Sequence, residues 1–252
     1  MLKTKQAKLI LEDGTVFTGK SFGSEKPVAG EVVFYTGMTG YPESLTDPSY
    51  TGQILVSTYP MIGNYGVPQD MQENGIHKFF ESHKLHISGL IIADYSFEFS
   101  HWNAQKSLSD WLKEYNVPGV FDIDTRALTK ILREKGSMLG KIEFGDDEID
   151  FYDPNKENLV AVASCKEREE YGNGEHRVVL VDCGVKNNII RCLLDRGATV
   201  IRVPWNYDFS SENYDGVFIS NGPGDPAMCK ETVENVKKVI DGDKPLMGIC
   251  LG

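Results

Sequence analysis

The last third of the chain alternates between apolar runs and amphipathic helical patterns, and this alternation limits the possible folds more than any other feature. Four apolar runs typical of buried strands occupy residues 176–184, 199–205, 215–220 and 244–250, and helical patterns occupy 185–198 and 227–243. Strand and helix in turn over about 75 residues predict a doubly wound parallel sheet. Ligands bind beyond the carboxyl ends of such strands. Two glycine-rich loops, 220–226 and 248–252, lie at the carboxyl ends of predicted strands, where a ligand is expected to bind.

The first part of the chain is β-rich. Two alternating runs around Asp13-Gly14 predict a hairpin. Further strands are predicted at 30–38, 52–60, 85–97 and 137–145, with helices at 107–117, capped by Ser107, and at 124–136, ending at a glycine. Residues 146–175 are polar and acidic and are interpreted as a connection. We therefore predict an α/β protein with a β-rich domain at 1–150, a linker at 151–175 and a second domain at 176–252.

The composition excludes several classes of function. The net charge of −11 argues against a nucleic-acid or anionic-membrane surface. No apolar run reaches the roughly 18 residues of a membrane helix, and the N-terminus does not resemble a signal peptide. Five cysteines without pairwise spacing favour reduced thiols in a cytoplasmic protein and no zinc site. The acidic residues of 146–175 lack EF-hand spacing and are expected to be a solvated surface.

Residues 14–21 match the P-loop pattern Gly-x-x-x-x-Gly-Lys-Ser letter for letter. A P-loop requires a helix that starts at the lysine, so that backbone N–H groups surround a phosphate. Here the intervening Thr-Val-Phe-Thr alternates directly after a hairpin turn, and no helical pattern follows. We therefore predict a hairpin strand and no nucleotide site.

Cys250 lies in the pentapeptide Gly-Ile-Cys-Leu-Gly, which ends a predicted buried strand. A nucleophile on a tight turn needs small neighbours two residues away on each side. The alternative is a buried structural cysteine. The loop Ser-Asn-Gly-Pro-Gly-Asp-Pro at 220–226 could expose N–H groups to an oxyanion, or could be an ordinary turn. Because the two loops follow strands that are expected to be neighbours in the sheet, they favour a cysteine acyl-transfer site.

These two loops resemble the class I glutamine amidotransferases, which use a thiol triad. The stretches 11–23, 30–68 and 181–205 also resemble the small, glutamine-hydrolysing subunit of carbamoyl phosphate synthetase, and this resemblance covers nearly the whole chain. It implies a ligase component that forms a γ-glutamyl thioester on Cys250 and delivers ammonia to a large synthetase subunit in arginine and pyrimidine biosynthesis. The partners implied are that subunit, as a heterodimer, and L-glutamine.

The resemblance also implies roles for individual residues. Gly222 and Leu251 match positions whose N–H groups line the oxyanion hole and contact glutamine. Gly224 and Ser49 match glutamine-binding positions, although Ser49 is also an ordinary turn residue after Pro48. Cys183, Cys192 and Cys229 match no family role and are expected to be buried. No metal or cofactor is expected in this subunit, because ATP and Mg²⁺ would be used by its partner.

The sequence departs from the family in one respect. The family supplies its general base as a His and a Glu well downstream of the cysteine, whereas all five histidines here precede Cys250. We therefore expect these 252 residues to be the N-terminal part of a longer protein, with little or no glutaminase activity alone. Two other functions stay open: a non-catalytic regulatory or interaction subunit, and another thiol enzyme on a similar sheet.

Overall fold

The computed structural model describes residues 4–252, and the chain divides into two compact units. The first unit contains residues 4–46, 52–69 and 84–154, and the second contains 47–51, 70–83 and 155–252. The polypeptide therefore passes between the units several times. Two short internal segments belong to the second unit although they lie within the predicted first domain.

Within residues 4–252 the backbone forms 16 strands, six α-helices and three 3-10 turns. The strands are β1 (Gln6–Leu11), β2 (Val16–Ser21), β3 (Val28–Tyr35), β4 (Gln53–Ile62), β5 (Val67–Pro68), β6 (Gln72–Glu73), β7 (Ile76–His77), β8 (Gly89–Tyr95), β9 (Ala104–Lys106), β10 (Gly119–Phe121), β11 (Met138–Phe144), β12 (Glu169–Tyr171), β13 (His176–Asp182), β14 (Ala198–Pro204), β15 (Gly216–Ile219) and β16 (Leu246–Gly248). The helices are α1 (Tyr41–Leu45), α2 (Leu108–Glu114), α3 (Thr125–Lys135), α4 (Leu159–Ala163), α5 (Asn187–Leu194) and α6 (Lys230–Ile240), and the 3-10 turns are Pro48–Tyr50, Pro154–Lys156 and Pro226–Met228.

The first unit is built on a closed barrel with the strand order β1-β11-β3-β4-β8-β10-β2. The pairs β3·β4, β4·β8 and β8·β10 are parallel, and the remaining pairs are antiparallel. Alternate side chains of these strands, including Leu9, Ile54 and Ile91, are fully buried in one core, which Leu128 and Leu132 of α3 complete. Closure leaves the barrel without an exposed sheet edge.

The local predictions for this unit are confirmed. β1 and β2 form the predicted hairpin, where Gly14 has a φ of 85° and the N–H of Thr15 donates to Asp13. Ser107 caps α2 by accepting a hydrogen bond from the N–H of Asp110, and α3 ends at Gly136. The P-loop pattern lies on β2, whose extended backbone cannot surround a phosphate.

The second unit contains a five-stranded sheet with the order β12-β14-β13-β15-β16. The four strands β13 to β16 are parallel, and β12 adds an antiparallel edge. Odd-numbered side chains such as Val179 and Val217 pack with Val239 of α6, whereas Leu180 and Phe218 pack on the other face with Ile190 of α5. Because helices cover both faces, the predicted doubly wound sheet is confirmed.

The start of α5 shows why segment 70–83 belongs to this unit. Its N-cap, Lys186, makes no side-chain cap, so the first N–H groups of the helix need other acceptors. Glu81 supplies them, since its carbonyl oxygen accepts from Asn187 at 2.9 Å and its carboxylate from Asn188 at 2.8 Å. The amide of Asn187 also donates to the carbonyl oxygen of Phe80.

The structure corrects the interpretation of residues 151–175 as a bare connection. Helix α4 begins there, with Asn158 accepting from the N–H of Ala161, and β12 pairs with β14. Both elements are part of the second unit. They were missed because elements of five and three residues are too short to show a hydrophobic period.

Candidate active site

The backbone around Cys250 is held by the neighbouring strand. Strands β15 and β16 pair in parallel, with Ile219 opposite Gly248, and the N–H of Ile249 donates to the carbonyl oxygen of Ile219 at 3.1 Å. Cys250 follows directly, at the carboxyl end of β16, and its side chain is exposed. The thiol therefore lies at the sheet edge where parallel sheets bind ligands.

Cys250 adopts the left-handed backbone conformation, with a φ of 58°. The other non-glycine residues between 4 and 252 with positive φ are Asn74, Asn116 and Asp122, which are types that tolerate this region. For an ordinary L-residue the left-handed conformation costs roughly 1–2 kcal/mol. Such strain persists where the surrounding structure imposes it, and it is concentrated at functional sites. Cys250 is thus presented by its turn at an energetic cost.

The two glycines that flank Cys250 are required by close backbone contacts. A Cβ on Gly248 would overlap the backbone of Gly252 and lie 2.6 Å from its carbonyl oxygen. A Cβ on Gly252 would overlap the carbonyl oxygen of Ile219 and lie 2.7 Å from its carbonyl carbon. No residue that carries a Cβ fits either position unless the backbone moves. This supports the interpretation of the pentapeptide as a tight turn that presents the thiol.

Residues 220–226 form the loop that leaves the adjacent strand β15. A Cβ on Gly222 would overlap the carbonyl oxygen of Cys183, so Gly222 lies directly against the turn that follows β13. Gly224 is exposed and has a φ of +77°. The carboxylate of Asp225 accepts from the N–H of Ala227 and so closes the loop. The loop is therefore fixed at both ends.

A fully buried carboxylate, Asp182, holds the turn against which this loop packs. One of its oxygens accepts from the N–H groups of Gly184 and Val185 at 2.8 and 2.7 Å. The other accepts from the N–H of Cys165 and from the guanidinium of Arg202 at 2.6 Å. Burial opposes the charged form of Arg202, but the neighbouring acidic groups, with Asp182 the strongest, together outweigh it and raise the pKa of Arg202. Asp182 was not predicted as a site residue, although a charged residue at the end of a buried strand is a signal that the sequence contains.

Ser49 is half-buried and lies in the segment 47–51. Its hydroxyl oxygen accepts a hydrogen bond of 2.9 Å from the side-chain amide of Asn221, which belongs to the loop 220–226. Asp47 accepts from the N–H of Ser49 and forms an ion pair with Lys186 at 2.6 Å. Neither Asn221 nor Asp47 was singled out from the sequence, because the contacts Asn221–Ser49 and Asp47–Lys186 join residues that are far apart along the chain.

The structure thus places the predicted site residues in two groups. Cys250 and Leu251 follow β16, and Gly222 and Gly224 follow its hydrogen-bonded neighbour β15. The half-buried side chain of Leu251 packs against the core of the second unit, which anchors its backbone N–H. Among residues 4–252, hydrogen bonds connect Ser49 to the loop 220–226 rather than to Cys250.

An apolar groove of about 570 Å³ lies beside the turn, between β16 and α6. Its walls include Val233 and Val236 of α6 together with Leu246 and Leu251, whereas Cys250 does not line it. An amino acid carries two charged groups whose burial without partners is costly. The groove therefore does not fit an amino-acid substrate, which would have to approach the thiol from elsewhere.

The remaining thiols differ from Cys250 in their surroundings. Burial raises the pKa of Cys183 and of Cys229, and burial followed by the carboxylate of Asp182 raises the pKa of Cys165 to about 12. Cys183 and Cys229 are buried, as expected from the sequence, but Cys192 is only half-buried. Since the thiolate is the reactive form, these pKa shifts lower the reactivity of Cys165, Cys183 and Cys229 at neutral pH.

We expect iodoacetamide at pH 7.5 to label Cys250 at least about tenfold faster than Cys165, Cys183 or Cys229. The thiol of Cys250 is exposed, whereas a pKa of about 12 leaves Cys165 with about a thousandth of the thiolate of an ordinary cysteine. Time-resolved peptide mapping by mass spectrometry measures each rate. Equal labelling of Cys183 and Cys250 in the folded protein would contradict the arrangement, and labelling in denaturant provides the reference rates.

No group of three or more His, Cys, Asp or Glu side chains among residues 4–252 is arranged to hold a metal ion. Every helix in the same range is too short or too polar to cross a bilayer.

Comparison with known families gives two matches. Residues 9–142 match the family model of the carbamoyl-phosphate synthase small chain, CPSase domain, and residues 179–252 match that of the class-I glutamine amidotransferases. The two matches divide the chain near the point where the sequence pattern changes from β-rich to alternating.

Several curated proteins are similar over the whole chain. It is 51% identical, over 100% of its length, to "Carbamoyl-phosphate synthase [ammonia], mitochondrial" from Homo sapiens and to "Multifunctional protein pyr1-3" from Dictyostelium discoideum. It is 53% identical over 98% of its length to "Multifunctional protein CAD" from Squalus acanthias. The chain spans 17%, 12% and 11% of the lengths of these three relatives.

Proposed function

Because this chain belongs to the carbamoyl-phosphate synthase small-chain family and ends in a class-I glutamine amidotransferase region, we propose that it is the glutamine-hydrolysing part of a carbamoyl-phosphate synthase. The observation that carries this proposal is Cys250 itself. Its exposed thiol is held in a left-handed conformation between two obligatory glycines at the carboxyl end of a parallel strand. A residue with only a structural role would not need that strained presentation.

The proposed reaction begins with attack of the Cys250 thiolate on the side-chain amide carbon of L-glutamine. The C–N bond breaks, the nitrogen leaves as ammonia after it gains a proton, and a γ-glutamyl thioester remains on Cys250. Water then attacks the thioester and releases glutamate and the thiol. The family resemblance implies a His and a Glu as the general base for both steps.

The oxyanion of each tetrahedral intermediate needs preorganised N–H donors. We assign these to the backbone of Leu251 and Gly222, whose strands are adjacent in the sheet. The two positions are rigid, since Gly222 contacts the backbone of Cys183 and the side chain of Leu251 is packed in the core. Gly224 belongs to the loop 220–226, and Ser49 belongs to the segment 47–51 that is hydrogen-bonded to this loop. These two residues would bind the α-amino and α-carboxylate end of glutamine.

The ammonia would be delivered to a synthetase region, as a large subunit or a fused domain, which uses ATP and Mg²⁺ to make carbamoyl phosphate. This chain would need no cofactor of its own. The product would serve pyrimidine and arginine biosynthesis. A cytoplasmic location and a heterodimeric assembly remain predictions, and the human relative is named as mitochondrial.

The decisive experiment compares nitrogen sources for the full-length natural protein that contains these residues. With glutamine, we expect release of glutamate and formation of carbamoyl phosphate in about equal amounts, and with ammonium chloride we expect carbamoyl phosphate alone. Both products are measured in the presence of ATP, Mg²⁺ and bicarbonate. Absence of glutamate release under conditions that support ammonium-dependent synthesis would reject the proposal.

One observation favours the alternative of a non-catalytic regulatory or interaction subunit. Relatives of about 50% identity carry names that specify ammonia, so identity alone does not decide whether glutamine is hydrolysed. Under this alternative the thiol would be dispensable. A thiol that reacts with a glutamine-mimicking chloroketone no faster than free cysteine would support it.

A further inference from the structure

Asn221 connects three parts of the second unit through one buried side chain. It is 3% exposed and immediately precedes Gly222 in the loop 220–226. Its amide nitrogen donates to Ser49 Oγ and to the carbonyl oxygen of Gly184, both at 2.9 Å. Its amide oxygen accepts from the N–H of Lys186 at 3.3 Å. Both amide protons and the carbonyl of this side chain are therefore used.

These neighbours determine the orientation of the amide. The carbonyl oxygen of Gly184 can only accept a hydrogen bond, and the N–H of Lys186 can only donate one. Rotating the amide by 180° would set two oxygens against each other at Gly184 and two N–H groups against each other at Lys186. The backbone groups of Gly184 and Lys186 therefore determine that an N–H of Asn221 faces Ser49, whatever the orientation of the Ser49 hydroxyl.

The consequence falls on the Ser49 hydroxyl. Because an N–H of Asn221 points at its oxygen, Ser49 acts as the acceptor in this contact. Its own O–H proton is then directed away from Asn221 and is available to a ligand. A hydroxyl held in this way binds a ligand oxygen, preferably an anionic one, and does not bind an ammonium group by the same lone pair.

The backbone of this segment is held by a second connection. Asp47 is 5% exposed and accepts from the N–H of Ser49 at 2.9 Å, while its other oxygen pairs with Lys186 Nζ at 2.6 Å. Lys186 therefore contacts Asp47 through its ammonium group and Asn221 through its backbone N–H. Backbone and side chain of Ser49 are fixed separately.

We propose that Asn221 is a positioning residue that presents Ser49 as a hydrogen-bond donor to the α-carboxylate of the amino-acid substrate. This inference rests on the proposed function and extends it. It makes Asn221 and Ser49, two side chains outside the reacting atoms, responsible for distinguishing a substrate with a free carboxylate from one without. Asn221 touches Ser49 and acts through it.

The test compares L-glutamine with its neutral α-methyl ester in the full-length protein. Binding is measured by calorimetry on a Cys250→Ala background, and turnover is measured with Cys250 present. A hydrogen bond to a charged group corresponds to a preference of about 10- to 100-fold for glutamine over the ester. We expect Asn221→Ala and Ser49→Ala each to reduce this preference to within about twofold of unity, and the double variant to lose nothing more.

Asn235→Ala is the matched control. Asn235 is also a buried amide of the second unit, 7% exposed, and donates to the carbonyl oxygen of Tyr207 at 3.0 Å. Its loss should lower stability but leave the preference unchanged. If Asn221 had only a structural role, Asn221→Ala would also leave the preference unchanged, because affinity for glutamine and for the ester would fall equally. That result would overturn the inference.

The two proposals fail separately. Turnover that depends on Cys250, with a carboxylate preference unaffected by Asn221→Ala, would reject the positioning role and keep the glutaminase. A carboxylate preference that depends on Asn221 without any turnover would reject the glutaminase and keep the positioning role. Absence of measurable glutamine binding would reject both.

Discussion

Replacing Cys250 with alanine in the full-length protein is expected to reduce glutamine hydrolysis by at least about 10⁴-fold, because the thioester can no longer form. The main-chain conformation should be retained, since alanine at this position keeps the strained left-handed backbone and the two flanking glycines keep the turn. Synthesis from ammonium chloride should continue at the original rate. Glutamate release and carbamoyl phosphate formation, measured side by side, check both parts.

Cys192→Ala provides the control for this result. Cys192 lies on α5, is only half-buried and has no assigned role in the reaction, so its loss should change neither activity by more than about twofold. Retention of glutamine hydrolysis by Cys250→Ala would show that another group attacks the amide. Loss of ammonium-dependent synthesis in the same variant would show instead that the substitution disrupts the fold.

The substitution Gly222→Ala is expected to lower glutamine hydrolysis by about 100-fold or more. Its Cβ would overlap the carbonyl oxygen of Cys183 and lie 2.8 Å from the carbonyl carbon, and both atoms belong to backbone that Asp182 holds in place. The loop must therefore move, and the N–H assigned to the oxyanion moves with it; loss of one such donor costs about 10²- to 10³-fold. Overpacking should also lower the free energy of unfolding by roughly 1–3 kcal/mol.

Gly242→Ala is the matched glycine for comparison. Gly242 lies in the same unit, just after α6, and its nearest Cβ contact would be an acceptable 3.4 Å from the carbonyl oxygen of Val239. We expect it to keep both activity and stability. Kinetic assays and chemical denaturation of the two variants measure the effects, and wild-type activity in Gly222→Ala would contradict the oxyanion assignment.

Much of the fold could be predicted from local patterns. The hairpin at Asp13-Gly14, the capped helices α2 and α3 and the alternating strands after residue 176 each show a signal within about 15 residues, and each is present. Closure of the barrel was not predicted. It depends on the parallel pairings of β4, β8 and β10, which join residues tens of positions apart and leave no local periodicity.

The candidate site divides in the same way. Cys250 and the glycine loops could be recognised because the backbone constraint that they satisfy lies within a few residues. Asn221 and Asp47 could not be recognised in this way. Asn221 contacts Ser49 across 172 positions of sequence, and Asp47 pairs with Lys186 of a distant segment. The roles of Ser49, Gly222, Gly224 and Leu251 came from family resemblance and stay predictions until the variants are measured.

The amidotransferase half of this chain is not a portable module. Residues 155–252 share their unit with 47–51 and 70–83, so a cut anywhere in 151–175 would separate Ser49 from Asn221 and Glu81 from the start of α5. An exchange of this half between related proteins has to carry the two short segments with it.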